Sequence, residues 1–328
     1  MPHYKVIKLK NLSPLHIGSG KENYDFSATE LQSDTISSAL AALRAQKGES
    51  ENIDTFLHSF SISSAFPYWK GHFFLPKMQG KLAITVENEE EYTIRKKLKK
   101  IRYIEYNLWS ELVAGKKQII TKDQLQGEFL VTDPDFECIS TNTICQRVTV
   151  ARDGRKSTEP FFFEWRFFHP EAGLFFLIDS DEQTFSTIVK LFKELGETGI
   201  GTDKNIGGGK FDIEISELSL PDIQDSNSSI LLSLYIPTEE EIKKIELSNA
   251  KFNITLRDGF IAGSNNESLR HLRKKSIYML TTGSVLPIVE RLEGKIVDLK
   301  PNWNDHNLHP VFRSGRPVSL PIKVTDYE

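Results

Sequence analysis

Tyr4, Val6, Ile7 and Leu9 alternate with lysines, a pattern that predicts a strand with one wet face. The run ends in Ser13-Pro14-Leu15-His16-Ile17-Gly18-Ser19-Gly20, whose Pro and Gly predict a turn-rich loop. The spacing then changes: Ile36, Ala39, Leu40 and Leu43 share one face of a helix that Ser33 or Asp34 can cap and that ends before Gly48. Further along, Leu174 to Asp179 reads as a short, fully apolar strand. Phe185, Ile188, Val189, Phe192 and Leu195 follow at helical spacing, with Ser180 or Asp181 as cap and Gly196 as stop. A glycine-rich loop leads into the alternating strand Phe211, Ile213, Ile215. Strand, helix, paired strands, strand, helix, strand is the order of a ferredoxin-like half with long insertions.

Pro221 to Ser229 is polar and reads as a linker, after which the pattern restarts. Ile230 to Ile236 predicts a strand, and Thr238 with Glu241 forms a capping box for a short helix. Phe252, Ile254 and Leu256 alternate; Ser276 to Leu286, Ile296 to Leu299 and Val318 to Val324 are also strand-like. The expected class is α+β, with two ferredoxin-like (RRM-like) domains over 1–220 and 230–328. The second rests on element order alone.

Composition narrows the function classes. The chain has 328 residues, 39% hydrophobic and 26% charged, enough for a sizeable core and against wholesale disorder. A net charge of −4 from 41 basic and 45 acidic residues means that any polyanion site is a local basic surface. Cys138 and Cys145, with six residues between them, are neither a disulfide framework nor a metal knuckle, and read as small apolar residues. The first ten residues lack a signal-peptide core, and no apolar run approaches the ~18 residues of a membrane span. A cytoplasmic protein without membrane contact is expected.

The segment Gly199 to Lys210 holds five glycines and two lysines. It is not a phosphate-binding P-loop, because Phe211 stands where Ser or Thr is required; nor is it a dinucleotide fingerprint, because Lys204 takes the third glycine position and no helix follows. It reads as a loop whose backbone approaches a polyanion, offering N–H groups and the cations Lys204 and Lys210; the alternative is a flexible spacer. Arg147, Arg152, Arg155 and Lys156 lie on two strand-like arms around Asp153-Gly154, a basic hairpin. The Phe161-Phe162-Phe163 run reads as core. Arg95 to Arg102 and Arg270 to Lys275 are further basic clusters, the first also readable as a solvated helix face. Catalytic motifs and metal-ligand spacings are absent from the sequence, so no cofactor or metal is expected. His16 sits on a loop between strand and helix, but no second acid–base group lies beside it in sequence, so it reads as a structural or RNA-contacting residue. Asp34 and Asp25 read as cap and loop residues.

Several stretches resemble the RAMP proteins, the RNA-binding family of CRISPR effectors: Leu15-His16-Ile17-Gly18, Ser33-Asp34-Thr35 and the Gly199–Lys210 loop. Ser63-Ser64-Ala65-Phe66-Pro67 with Leu75-Pro76-Lys77, the Arg147–Arg152 hairpin and His309-Pro310-Val311-Phe312-Arg313-Ser314-Gly315 narrow this to a resemblance to the fourth subunit of type III-A Csm complexes. Ala151-Arg152 departs from the Asp-Arg pair that the family hairpin often carries. The resemblance implies a projecting β-hairpin thumb, capture of the 5′ handle of the guide RNA (crRNA), and docking to the large polymerase-like Csm subunit and to the backbone RAMP subunit, without catalysis. The expected RNA-contacting residues are His16, Gly18, Ser19, Arg147, Arg152, Lys204, Gly207, Gly208, Gly209, Lys210, Arg270, Lys274 and Arg313. The competing readings are a metal-independent endoribonuclease that processes repeat RNA through His16, and a protein-only structural module.

Overall fold

The lysine-interleaved N-terminal run forms β1 (His3–Lys10), followed by α1 (Ser33–Gln46), β2 (Phe66–Trp69), β3 (Ala172–Ser180), α2 (Glu182–Thr198) and β4 (Asp212–Ser219). These strands are antiparallel neighbours in the order β4-β1-β3-β2. The sheet continues beyond β2 through His72–Pro76, Tyr103–Glu105, Phe129–Leu130 and Leu125–Gln126. The structure, a computed structural model, describes residues 3–18, 24–87, 91–133, 135–150, 159–261, 264, 266–288, 291–303 and 308–325.

Neither face of β1 is wet, which corrects the expectation from its lysines. Ile7 and Leu9 lie with Leu174, Phe176 and Ile178 beneath Ile36 and Leu40 of α1 and Ile188 and Phe192 of α2. Val6 points the other way, with Phe175 and Leu177, into a core shared with Ile230, Leu232, Val318 and Leu320 of the second half. The lysines cover this packing with their stems while their ammonium groups find partners. Lys8 Nζ stands 5.0 Å over the Phe73 ring and 3.1 Å from Glu214, and Lys5 Nζ stands 4.8 Å over Phe185. Alternation with lysine therefore imitated a solvated face.

The caps divide the two helices. Asp181 caps α2 as expected, its carboxylate accepting from the Thr184 amide at 2.8 Å. These hydrogen bonds hold its pKa below the ordinary aspartate value. Gly196 is not the stop; α2 runs on to Thr198, and a Cβ at Gly196 would lie 2.2 Å from the Phe211 carbonyl. That glycine lets the start of the next strand lie against the helix. In α1 the N-cap is Gln32, with no side-chain cap bond, and Ser33 and Asp34 are buried inside the first turn. Both turn toward the second half: Ser33 Oγ accepts from the Leu234 amide at 3.0 Å.

In the second half β5 (Ser228–Leu231), α3 (Glu239–Lys244), β6 (Ile254–Arg257), β7 (Ile277–Leu280), β8 (Val285–Leu286), β9 (Phe312–Ser314) and β10 (Ser319–Ile322) are short pieces. Both sides of Thr238 and Glu241 make the expected capping box. The predicted 276–286 strand is broken by a turn at Gly283, which has φ +83°. Hydrogen bonds prolong the ladders of β5 across the gaps: Leu231 N to Ser284 O and Tyr235 N to Leu280 O on one side, Leu232 N to Val318 O and Ile236 N to Gly315 O on the other. The lateral sequence of segments is therefore 312–322, 228–236, 277–286, 254–257. That matches the β4-β1-β3-β2 arrangement of the first half, with α3 as its one α-helix among the described residues.

Between β2 and β3 a long two-stranded ribbon leaves the sheet. Its arms Ser140–Thr149 and Glu159–Phe168 pair in register Cys145↔Phe163 and Arg147↔Phe161. Cys145, Arg147, Phe161, Phe163 and Trp165 share the face that turns toward the body; Ile144, Val148 and Phe162 are exposed on the other. Arg152 and the Asp153-Gly154 turn lie outside the described residues.

Candidate nucleic-acid interface

Three segments far apart in sequence are laced together at the root of this ribbon. The Ser13–His16 loop pairs with the ribbon through Leu15 N to Arg166 O at 2.9 Å and Arg166 N to Leu15 O at 3.0 Å. It pairs with the glycine loop through Gly209 N to Pro14 O at 2.9 Å, Thr202 N to His16 O at 3.0 Å and Ser13 N to Lys210 O at 2.9 Å. The Ser13 hydroxyl donates to the Gly207 carbonyl and accepts from the Lys210 amide. Arg147 on the ribbon closes the triangle: its guanidinium pairs with Asp203 of the glycine loop and lies 4.2 Å over Phe163 and 5.1 Å over Trp165.

This packing explains most of the glycines. A Cβ at Gly208 would meet the Trp165 ring at 2.8 Å, and one at Gly209 would stand 1.9 Å from the Ile200 carbonyl; at Gly201 and Gly199 the obstacles are the His16 and Gly208 carbonyls, at 2.3 and 2.5 Å. The close approaches are thus to the protein itself. Gly207 differs, having φ +90° and open space where a Cβ would go. Asp203 adopts the same left-handed backbone at φ 59°, which Asp tolerates better than most side chains.

The backbone amides are spent in the same way. Ile206, Gly207, Gly208, Gly209, Lys210 and Phe211 all donate within the chain, to Asp203 O, Lys204 O, Asp203 O, Pro14 O, Ser13 Oγ and Gly196 O. Over Ile206–Phe211 the expectation of N–H groups free for phosphates is therefore corrected. What it presents outward is side chains: Lys204, Ile206 and Lys210 are exposed, and neither lysine has an ion-pair partner among the described residues. Partial desolvation nevertheless lowers the Lys204 ammonium's pKa from the ordinary lysine value.

The remaining candidates separate. Gly18 is exposed beside the root, and Ser19 lies outside the described residues. His16 is buried: its Nδ1 is 2.8 Å from the Glu164 carbonyl and its ring centroid 4.3 Å from that of Phe163, while Nε2 has no partner among the described residues. It wedges the loop against the ribbon and is not placed to touch a strand of RNA directly. Arg270 and Lys274 belong to the second half and share no hydrogen bond or ion pair with the glycine loop among the described residues. Arg270 Nε donates to Ser264 O at 2.9 Å, and burial beside Arg257 lowers the pKa of Lys274. Arg313 is removed from the contact set. It is 4% exposed and pairs with Asp34, which also accepts 2.9 Å bonds from Arg257 Nε and Nη2. Desolvation lowers Arg313 to about 10. Sequence reasoning missed Asp203, Phe163 and Trp165 as the organisers of the root; Asp203 was visible inside the loop, but its partner is 56 residues away.

With this geometry in place, the comparisons are specific. The model of the CRISPR Csm4 C-terminal domain matches residues 224–322. A Csm4 protein of Thermococcus onnurineus is 26% identical over 74% of this chain and 78% of its own length. One from Mycobacterium tuberculosis is 29% identical over 52% and 54%. Among solved structures, a Csm1–Csm4 cassette in complex with cA4 contains a chain that matches with TM-score 0.60 and 20% identity, covering 99% of this chain and 100% of that one. A Csm3–Csm4 subcomplex of the type III-A interference complex contains one with TM-score 0.59 and 19% identity, over 97% and 99%. Domain model, relatives and fold agree: what this chain is similar to is the Csm4 proteins of CRISPR systems.

Proposed function

We propose that the chain is a non-catalytic RNA-binding subunit of a type III-A Csm effector, holding the 5′ handle of crRNA at the ribbon root and docking to the large polymerase-like subunit and the backbone RAMP subunit. The docking rests on relatives solved as Csm1–Csm4 and Csm3–Csm4 assemblies. We take residues 1–220 and 230–328 as two ferredoxin-like units, supported by the shared lateral order of their strands, and the ribbon as the thumb. The observation that carries the RNA reading is a loop whose amides from Ile206 to Phe211 are internally satisfied, and from which Lys204 and Lys210, without ion-pair partners among the described residues, project beside Arg147. Such a site holds a polyanion by charge, with affinity that falls as salt rises, and leaves base reading to other surfaces.

The nuclease reading is disfavoured by His16, whose burial under Phe163 keeps its ring from a scissile 2′-hydroxyl. The purified chain incubated with repeat RNA tests both readings. Binding without cleavage is expected; cleavage abolished by His16→Ala promotes the nuclease, and absence of binding removes the RNA assignment.

A further inference from the structure

The turn that interrupts the predicted 276–286 strand has a second consequence. Gly283 stands at φ +83°, and a Cβ there would lie 2.5 Å from the Lys77 carbonyl; the Gln79 amide donates to the Gly283 carbonyl at 2.8 Å. Only glycine lets this loop of the second half press against the Lys77–Gln79 strand end of the first. The contact closes one side of a cavity of ≈ 280 Å³ lined by residues of both halves.

The lining differs from the apolar core that Val6, Phe175 and Leu177 share with Ile230, Leu232, Val318 and Leu320 of the second half. Lys77, Lys99 and Arg102 face it, with Glu30 as its single carboxylate among the lining residues. Glu30 is taken up by Arg102, which also binds Thr29 and Glu128. Lys77 donates to the Leu98 carbonyl at 3.1 Å and has no carboxylate partner among the described residues; burial lowers its pKa. Lys99 is exposed at the rim and likewise without an ion-pair partner among them. Lys77 is thus a partly desolvated cation without a carboxylate partner among the described residues, with the solvated Lys99 near it, an arrangement that an anion relieves. Ser64, Gln79 and Thr282 add neutral polar groups to the lining, and Phe66 and Tyr103 form its buried floor, the Tyr103 ring stacked on Phe129. The volume sits near the lower end of small-molecule sites, about 300 Å³.

We propose that this cavity binds one phosphorylated ribonucleoside, its phosphate on Lys77 and Lys99 and its base edge on the polar groups of Ser64, Gln79 and Thr282. The proposal deepens the RNA reading: the occupant is a single nucleotide turned out of a bound RNA strand. It also gives the basic Arg95–Arg102 stretch, which the ribbon root does not use, a place in binding.

The test titrates the full chain with the four nucleoside 5′-monophosphates, with inorganic phosphate and with single-stranded RNA, each against wild type, Lys77→Met and Lys99→Met. Methionine keeps the stem and removes the charge, and thermal melting confirms folding. At least one monophosphate should bind saturably, compete with RNA, and lose roughly tenfold in affinity in Lys77→Met, as expected for a charged hydrogen bond. Absence of monophosphate binding, or inorganic phosphate binding as tightly as the nucleotides, would overturn the proposal. If RNA binds independently of Lys77 and no monophosphate binds, the cavity assignment fails while the ribbon root stands. If a monophosphate binds through Lys77 but RNA does not bind at all, the RNA reading fails and the cavity remains as a site for free nucleotide.

Discussion

Two Asp–Arg constellations tie distant parts of this chain together, and they are opposites. Asp34 is fully buried and receives Arg257 and Arg313, so that α1 is fastened to the second half. Asp203 and Arg147 make a comparable bond between glycine loop and ribbon, but their side chains keep 33% and 25% of their exposure, and lysines without ion-pair partners among the described residues flank them. In the first, the carboxylate is fully buried with Arg313, and Arg257, 27% exposed, is spent on the same carboxylate. In the second, the pair organises a surface from which Lys204 and Lys210 still reach solvent. Basic residue content alone does not distinguish the two; burial and pairing do.

Breaking the buried constellation should give the largest effect. Asp34→Ala leaves the buried Arg313 guanidinium uncompensated and takes the carboxylate from Arg257, and should cost about 3–5 kcal/mol, read as a lowered urea midpoint. RNA affinity of the protein that remains folded should be unchanged; a selective loss of RNA binding would place the clamp within the interface.

Next comes Gly209→Ala. Positive φ alone costs roughly 1–2 kcal/mol, and the overlap with the Ile200 carbonyl adds to it. The variant should lose both stability and RNA binding, because the loop is detached from the ribbon. Gly207→Ala separates these effects, since its Cβ would point into open space. It should cost only the conformational strain, about 1 kcal/mol, and leave RNA affinity near wild type. A large loss of affinity there would mean that the backbone itself touches the nucleic acid.

Arg147→Ala removes a partly buried ion pair and a stacked guanidinium, with a stability cost of roughly 1 kcal/mol. Its signature belongs to binding: weaker affinity across RNA sequences and a flatter salt dependence.

The first half was legible because its patterns are long and local. The periodicities of β1, α1, α2 and β4 and the Asp181 cap lie within short windows of sequence. What escaped depends on packing between segments. Lysines in β1 read as solvent-facing although their stems run over Phe73 and Phe185. Asp34 looked like a cap because its two arginines are more than 200 residues away. Arg313 looked like a phosphate ligand for the same reason. The glycines were correctly singled out, but their neighbours are Trp165, Ile200 and His16, which only the folded chain brings to them. In the second half, breaks such as the Gly283 turn divide strands whose hydrogen-bond order is recovered only in three dimensions.

The central claim is that the ribbon root holds RNA through exposed charge. Its most direct test is the salt dependence of RNA affinity for wild type and for the Lys204→Ala, Lys210→Ala double variant, which should melt with wild type because both side chains are exposed. If each lysine meets one phosphate of a single strand, the slope of log affinity against log salt should fall in magnitude by about 1.4. A double variant with the wild-type slope and affinity would contradict the account.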